Sequence, residues 1–227
     1  MEYQKQMMPG MLAKRNLSCN ETKTEEYSVC RKGDESYKKF KYLGSLLDTT
    51  EDMKRRKSLT TAAMKTYNPI WRNKAVSLES KLWIFHALVE PIFLYNAHLW
   101  TLDAAKRESI NSFQRKQYRF VLNIRWPRKI SSAKLQDTVR CISWTFKTDM
   151  ARLRWLGHLF RLPKNSPAAI ALEEAERETK RPRGRMRSTW IQKAKQQLLE
   201  MMDLTWEQAQ TTTADRKHWR ELIDYIV

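Results

Sequence analysis

The sequence predicts a mainly α-helical protein, with a short β segment confined to its amino-terminal end. From Thr49 onward, apolar residues recur at helical spacing, and residues that favour helix starts precede these runs. Before Thr49, bulky residues alternate over short runs, as they do in strands. A chain of 227 residues is long enough to bury a core. We divide it into 1–48, a β-containing segment, 49–126, a three-helix bundle, and 127–227, a basic helical region.

Three short strands are expected in the first segment, at 17–20, 26–30 and 40–47. Turn-forming residues separate them, around 21–23 and 31–34. No partner strands are predicted later in the chain, so this sheet would be small. A small sheet is only marginally stable by itself.

Three helices with short connections are expected in the bundle. The first opens at Thr49, which with Asp52 resembles a capping box. Its expected apolar face consists of Leu59, Ala63, Tyr67 and Ile70. The second opens at Ser77 and should bend at Glu90–Pro91, because proline lacks a backbone donor. The third opens at Asp103 and carries basic residues opposite its apolar face.

Shorter helices are expected over 131–140, 146–161, 167–179, 188–201, 205–210 and 213–225. Four tryptophans recur among them: Trp155, Trp190, Trp206 and Trp219. Two interpretations of these tryptophans stay open. They anchor a small core, or with neighbouring arginines they form a platform on which nucleic-acid bases stack.

The charge balance predicts a polyanionic partner, RNA or DNA. The chain has 43 Lys and Arg against 25 Asp and Glu, a formal net charge of +18. Residues 101–190 contain 21 of these basic residues and 8 acidic ones, so most of the excess lies in one block. Such a concentration of cations repels itself unless a polyanion is close by.

The sequence contains no motif for secretion, membrane insertion or metal binding. The amino-terminal residues lack an apolar signal core, and no run reaches the roughly 18 apolar residues of a membrane span. Cys19, Cys30 and Cys141 are too scattered for a disulfide framework or a zinc site. We therefore expect an intracellular protein, cytoplasmic or nuclear, that has no membrane partner and holds no cofactor.

Cationic residues are the candidate binding residues, and most of their contacts would be to phosphates. They form four groups along the chain. In order, these are Lys54, Arg55 and Arg56; Arg115, Arg119, Arg125, Arg128 and Lys129; Arg152, Arg154, His158 and Arg161; and Arg181, Arg183, Arg185 and Arg187. His158 has no second ligand nearby, so a packing or phosphate-contacting role is favoured over metal binding.

The fourth group includes Arg181-Pro-Arg-Gly-Arg185, which resembles the core of an AT-hook. In that motif the Arg-Gly-Arg run lies along the narrow, electronegative minor groove. Met186 stands where the motif has a second proline. A solvated linker is the alternative interpretation, and both stay open.

Six strings follow one another along the chain: NETKTEEY at 20–27, FKYLGSLLD at 40–48, SLESKLWIFHALVEPIFLYNAHLWTL at 77–102, RLRWLGHLFRLP at 152–163, KRPRGR at 180–185 and DRKHWREL at 215–222. Their order resembles the carboxy-terminal part of non-LTR retrotransposon reverse transcriptases, often labelled endonuclease-reverse transcriptases. The resemblance covers essentially the entire chain. It implies late palm for 1–48, thumb for 49–126, and a linker that binds template RNA or target DNA for 127–227.

None of the catalytic residues of the resembled family can be matched to a residue of this chain. The Tyr-x-Asp-Asp box of that family should precede Glu2, and the sequence contains no Asp-Asp dipeptide. Such carboxylates would hold the two metal ions of phosphoryl transfer. Mg²⁺ is therefore expected only in the complete polymerase, and this chain alone should neither polymerise nor cut DNA.

Two functions from different classes follow. The first is a nucleic-acid-binding carboxy-terminal fragment of a retrotransposon RNA-directed DNA polymerase, which grips template, primer or target DNA. The alternative is a domesticated helical interaction protein whose basic faces bind an acidic protein partner.

Overall fold

A computed structural model describes residues 10, 12–18, 20, 40–177 and 188–226. The chain divides into two compact units, Met1–Asp48 and Thr49–Val227. Helices dominate the described residues, whose one sheet is a two-stranded hairpin. The predicted fold class, mainly α with a short amino-terminal β segment, is confirmed.

The hairpin lies in the first unit, over 40–47, where the alternation of bulky residues predicted one strand and the family resemblance implied a hairpin. Strand β1 (Lys41–Tyr42) runs antiparallel to β2 (Ser45–Leu46). Leu43 and Gly44 connect them with φ values of 44° and 84°. Positive φ at both central residues is the geometry of a tight hairpin turn, and glycine adopts it without steric cost.

The strand predicted at 17–20 is wrong for the residues described there. Arg15 and Leu17 both donate their backbone N–H to the carbonyl of Leu12, at 2.9 and 3.0 Å. Asn16 has a φ of 54°, as at the end of a helical turn. The strand predicted at 26–30 lies outside the described residues.

The second unit opens with α1 (Thr49–Thr66). Of the predicted apolar face, Ala63, Tyr67 and Ile70 are partly buried and pack against buried hydrophobic residues, but the fully buried residues of α1 are others. The residues that face the interior are Asp52, Met53, Arg56, Thr60 and Met64. Leu59, placed in the core by its hydrophobicity, is 39% exposed. Polar residues occupy the core face because they find partners there: Trp100 donates its indole N–H to Asp52 at 2.9 Å, and Arg56 lies over the Tyr95 ring.

The interruption expected at Glu90–Pro91 occurs one turn earlier. After α2 (Asn68–Arg72), helix α3 (Leu78–Ile84) is capped by Ser77 as predicted and changes into a π-helical turn over Phe85–Val89. The chain continues as α4 (Glu90–Leu94) and a short 3₁₀ turn. A π turn has one more residue in each hydrogen-bonded ring than an α-helical turn. The backbone N–H groups that precede the proline therefore keep hydrogen-bond partners.

The remaining helices follow the prediction closely. They are α5 (Ala104–Val121), α6 (Ser132–Val139), α7 (Trp144–Phe160), α8 (Pro167–Arg177), α9 (Trp190–Met202), α10 (Trp206–Thr212) and α11 (Arg216–Tyr225). Asp103 caps α5 through a 2.7 Å bond from the Lys106 N–H. Thr205 and Gln208 form the expected capping box of α10.

Two hydrophobic clusters fill the second unit, and α7 contributes to both. The first cluster is built from α1 to α6 and ends with Trp144. The second combines Met150, Leu153 and Leu156 of α7 with residues of α9, α10 and α11. The first cluster extends across residue 126, the predicted end of the bundle, because α6 packs against α5.

Candidate nucleic-acid interface

A cationic cleft of about 400 Å³ lies between α7 and α11. Its lining consists of Arg154, His158, Arg161, Arg216, Trp219, Arg220 and Ile223, a set without an acidic side chain. Residues spaced by three or four positions share one face of a helix. The three basic side chains from α7 and its carboxy-terminal end therefore face the two arginines of α11.

Sequence reasoning named three of these basic residues and missed two. Arg154, His158 and Arg161 were predicted in one group, and the structure brings them together. Arg216 and Arg220 were missed because residues 191–227 have a slight net negative charge. The signal that could have found them is their spacing around Trp219 and Ile223, because positions 216, 219, 220 and 223 share one face of a helix.

Like charges converge in this cleft. Arg161 donates from Nη1 to the Thr213 carbonyl at 3.0 Å, which fixes its guanidinium. Burial lowers the pKa of Arg161, and the neighbouring charge of Arg216 lowers it further. Among the described residues, neither Arg216 nor Arg220 forms an ion pair. Arginine stays charged at neutral pH, so the arrangement favours a bound anion.

One acidic side chain approaches the edge of the cleft. Asp224 accepts a hydrogen bond from Arg154 at 3.0 Å, and both side chains are more than half exposed. A surface ion pair of this kind contributes only about 0–1 kcal/mol. A phosphate can therefore replace Asp224 as the partner of Arg154 at little cost.

Gly157 allows the two helices that form the cleft to approach closely. A Cβ atom at this position would lie 2.2 Å from the indole nitrogen of Trp219. The buried indole donates to the Leu153 carbonyl at 3.2 Å. The glycine of the Arg-Trp-Leu-Gly-His run thus sets the width of the cleft.

Arg152 does not belong to this interface, although the sequence placed it there. Its side chain is fully buried, and it donates to the carbonyls of His98 and Trp100 at 3.3 and 2.5 Å. Asp149 lies 3.5 Å from it and also accepts two bonds from Arg107. Burial lowers the pKa of Arg152 to about 10. Arg152 is a structural cation that joins α7 to the segment around Trp100.

The first predicted group is divided between surface and interior. Lys54 is exposed and pairs with Glu51 at 2.7 Å. Arg55 is partly exposed. Arg56 is buried, with its guanidinium 4.5 Å from the centre of the Tyr95 ring. Burial removes Arg56 from any surface that could contact nucleic acid. None of the three lines the cleft between α7 and α11.

The second group lies along α5 and in the loop that follows it. Arg115 pairs with Glu108 at 2.5 Å, and Arg119 donates to the Ser132 hydroxyl at 3.4 Å. Arg125, Arg128 and Lys129 are exposed in the loop between α5 and α6. These five residues line no part of the cleft.

The fourth group, Arg181, Arg183, Arg185 and Arg187, lies outside the described residues, as does the AT-hook-like run. The tryptophans favour the core interpretation: Trp206 and Trp219 are buried in the second cluster. Trp190 donates to the His98 carbonyl at 2.8 Å, and Trp155 packs beside the rings of His98 and His158.

Metal-binding clusters and membrane-spanning helices are both absent from the described part of the chain. Residues 10, 12–18, 20, 40–177 and 188–226 contain no group of three or more His, Cys, Asp or Glu side chains that could hold a metal ion. In the same residues, no helix combines the length and the apolar character that crossing a membrane requires.

Comparisons with known proteins identify no relative of this chain. No protein-family model, no curated protein and no solved structure matches the chain.

Proposed function

We propose that this chain binds RNA or DNA, and that the cleft between α7 and α11 contacts the phosphate backbone. The observation that carries the proposal is the convergence of Arg154, Arg161, Arg216 and Arg220 on one cleft without an acidic lining residue. Guanidinium groups bind phosphate through paired, charge-assisted hydrogen bonds. A polyanion would relieve the repulsion between Arg161 and Arg216.

Binding of this kind recognises the phosphate backbone of the nucleic acid and not its base sequence. Contacts to phosphates release counterions, so affinity should fall as the salt concentration rises. Trp219 and Ile223 supply the apolar part of the lining. They offer no set of donors and acceptors with which to distinguish one base from another.

The test is the affinity of a labelled oligonucleotide for the wild-type chain and for Arg216→Gln/Arg220→Gln. We expect the double variant to bind about tenfold or more weakly, because it removes two cations from the cleft. The matched control is Lys65→Gln/Lys74→Gln, which removes the same charge from exposed positions outside the cleft. Equal losses in the two double variants would show that net charge, and not the cleft, determines binding.

A polyglutamate competitor separates this function from binding to an acidic protein. Both polymers are anionic, and carboxylates and phosphates both form paired hydrogen bonds with arginine, so the competitor tests whether binding needs the nucleic-acid backbone or only negative charge. Competition by polyglutamate at equal charge concentration would favour an acidic protein partner. Failure to compete would favour nucleic acid.

We further propose that this binding corresponds to the nucleic-acid binding by the thumb and linker regions of reverse transcriptases, the family that the sequence resembles. The six ordered strings support this origin. It predicts tighter binding to an RNA–DNA primer-template than to a blunt DNA duplex of equal length. Because the sequence lacks an Asp-Asp dipeptide, the chain alone should incorporate no nucleotide on an oligo(dT)-primed template.

A further inference from the structure

An exposed tryptophan stands at the tip of the loop between α5 and α6. Trp126 is 85% exposed, although an indole is among the largest apolar groups in proteins. The Arg128 N–H donates to the Arg125 carbonyl at 2.9 Å, which closes a turn. Trp126 and Pro127 are the two central residues of that turn, so the indole extends toward solvent.

The loop is anchored at both ends. The Ile124 N–H donates to the Arg119 carbonyl at 2.9 Å, and Asn123, two residues after α5, has a φ of 53°. Arg125 lies 5.4 Å from the centre of the Phe120 ring. Ile130 packs against the first hydrophobic cluster. The indole is therefore presented from a fixed base, which lowers the entropy that a ligand must overcome.

The surroundings of this indole are cationic. Arg125, Arg128 and Lys129 are all exposed beside it. The sequence between Glu108 and Asp137 contains no acidic residue, so no carboxylate lies near them along the chain. Another exposed tryptophan, Trp83, is 71% exposed but lines a shallow cavity that contains Glu79 and no cation.

We infer that Trp126 is a stacking platform for an unpaired base of single-stranded RNA or DNA, with the phosphates on either side bound by Arg125, Arg128 and Lys129. This inference rests on the proposed function and specifies its substrate. An exposed aromatic ring within a cationic strip is the arrangement that binds single strands without sequence preference. Bases inside a duplex are already stacked, so their faces are not accessible to the indole.

The test compares Trp126→Ala, Trp126→Phe and the control Trp83→Ala. Each is titrated against a labelled single strand and against a duplex of equal length. We expect Trp126→Ala to weaken single-strand binding by about 5- to 150-fold. Trp126→Phe should retain most of the affinity, because a phenyl ring still stacks. Duplex affinity should change less than about twofold in all three.

Single-strand affinity of Trp126→Ala within about twofold of wild type would overturn the inference. So would an equal loss for single strand and duplex, or an equal loss in Trp83→Ala. The cleft variant Arg216→Gln/Arg220→Gln is measured alongside. If it weakens binding while Trp126→Ala does not, the stacking platform fails and the proposed function stands. A wild-type chain that binds neither nucleic acid contradicts both.

Discussion

Replacing Gly157 with alanine tests whether α7 and α11 pack as closely as the cleft requires. In the interior of a helix, glycine to alanine ordinarily stabilises a protein by about 0.5–1 kcal/mol. Here the added Cβ would lie 2.2 and 2.5 Å from two atoms of the Trp219 indole. The indole is buried, so it must shift, and overpacking of this kind costs about 1–3 kcal/mol. The overpacking cost exceeds the helical gain.

We expect Gly157→Ala to lower the free energy of unfolding by about 1 kcal/mol. For a unit of this size, that change lowers Tm by about 2–4 °C. Thermal unfolding followed by circular dichroism measures it. Gly10→Ala is a control with no atom within 4 Å of the new Cβ. In a Trp219→Leu background the cost of Gly157→Ala should shrink, because the two residues are in contact.

A Tm for Gly157→Ala equal to or above that of wild type would refute this reasoning. It would mean that α11 does not rest on Gly157 and that the cleft is wider than described. The same variant should bind oligonucleotide more weakly, because displacement of Trp219 moves Arg216 and Arg220 on the same helix.

Two further changes test the polar interior around Arg152. Asp149→Asn removes the buried charge that Arg107 and Arg152 share, and we expect a loss of about 3–5 kcal/mol in chemical denaturation; a loss below about 1 kcal/mol would contradict a buried ionic network. Burial, and then the Arg152 charge, lower the pKa of His98 below its usual 6.5. The unfolded chain therefore binds the proton more readily, so stability should fall as the pH drops below about 6.5; His98→Phe should reduce that fall, and an unchanged pH profile would exclude His98 as its source.

Local signals in the sequence predicted most of the fold. Ser77, Asp103 and Thr205 each act as the helix cap that their position indicated, because capping depends on neighbours within one turn. The buried face of α1 could not be predicted in this way. Asp52 and Arg56 are polar, and only tertiary partners such as Trp100 and Tyr95 make their burial favourable.

The candidate site could also be predicted only in part, because its residues come together through tertiary contacts. Charge density identified the region of Arg154 and Arg161, but it did not distinguish the buried Arg152 two residues away. Helix periodicity places Arg152 on a different face from Arg154, but the sequence does not show which of the two faces is turned toward the core. Arg216 and Arg220 join the cleft through tertiary contacts between α7 and α11, such as that between Gly157 and Trp219, which lie far apart in sequence.

The salt dependence of oligonucleotide binding tests the cleft most directly. The logarithm of the binding constant is measured against the logarithm of salt concentration for wild type and for Arg216→Gln/Arg220→Gln. Removing one phosphate-binding cation should make the slope shallower by about 0.7 for a single strand or 0.9 for a duplex. The double variant lacks two such cations, so we expect its slope to be shallower by about 1.4–1.8. Identical slopes and affinities for the two proteins would contradict phosphate binding in the cleft between α7 and α11.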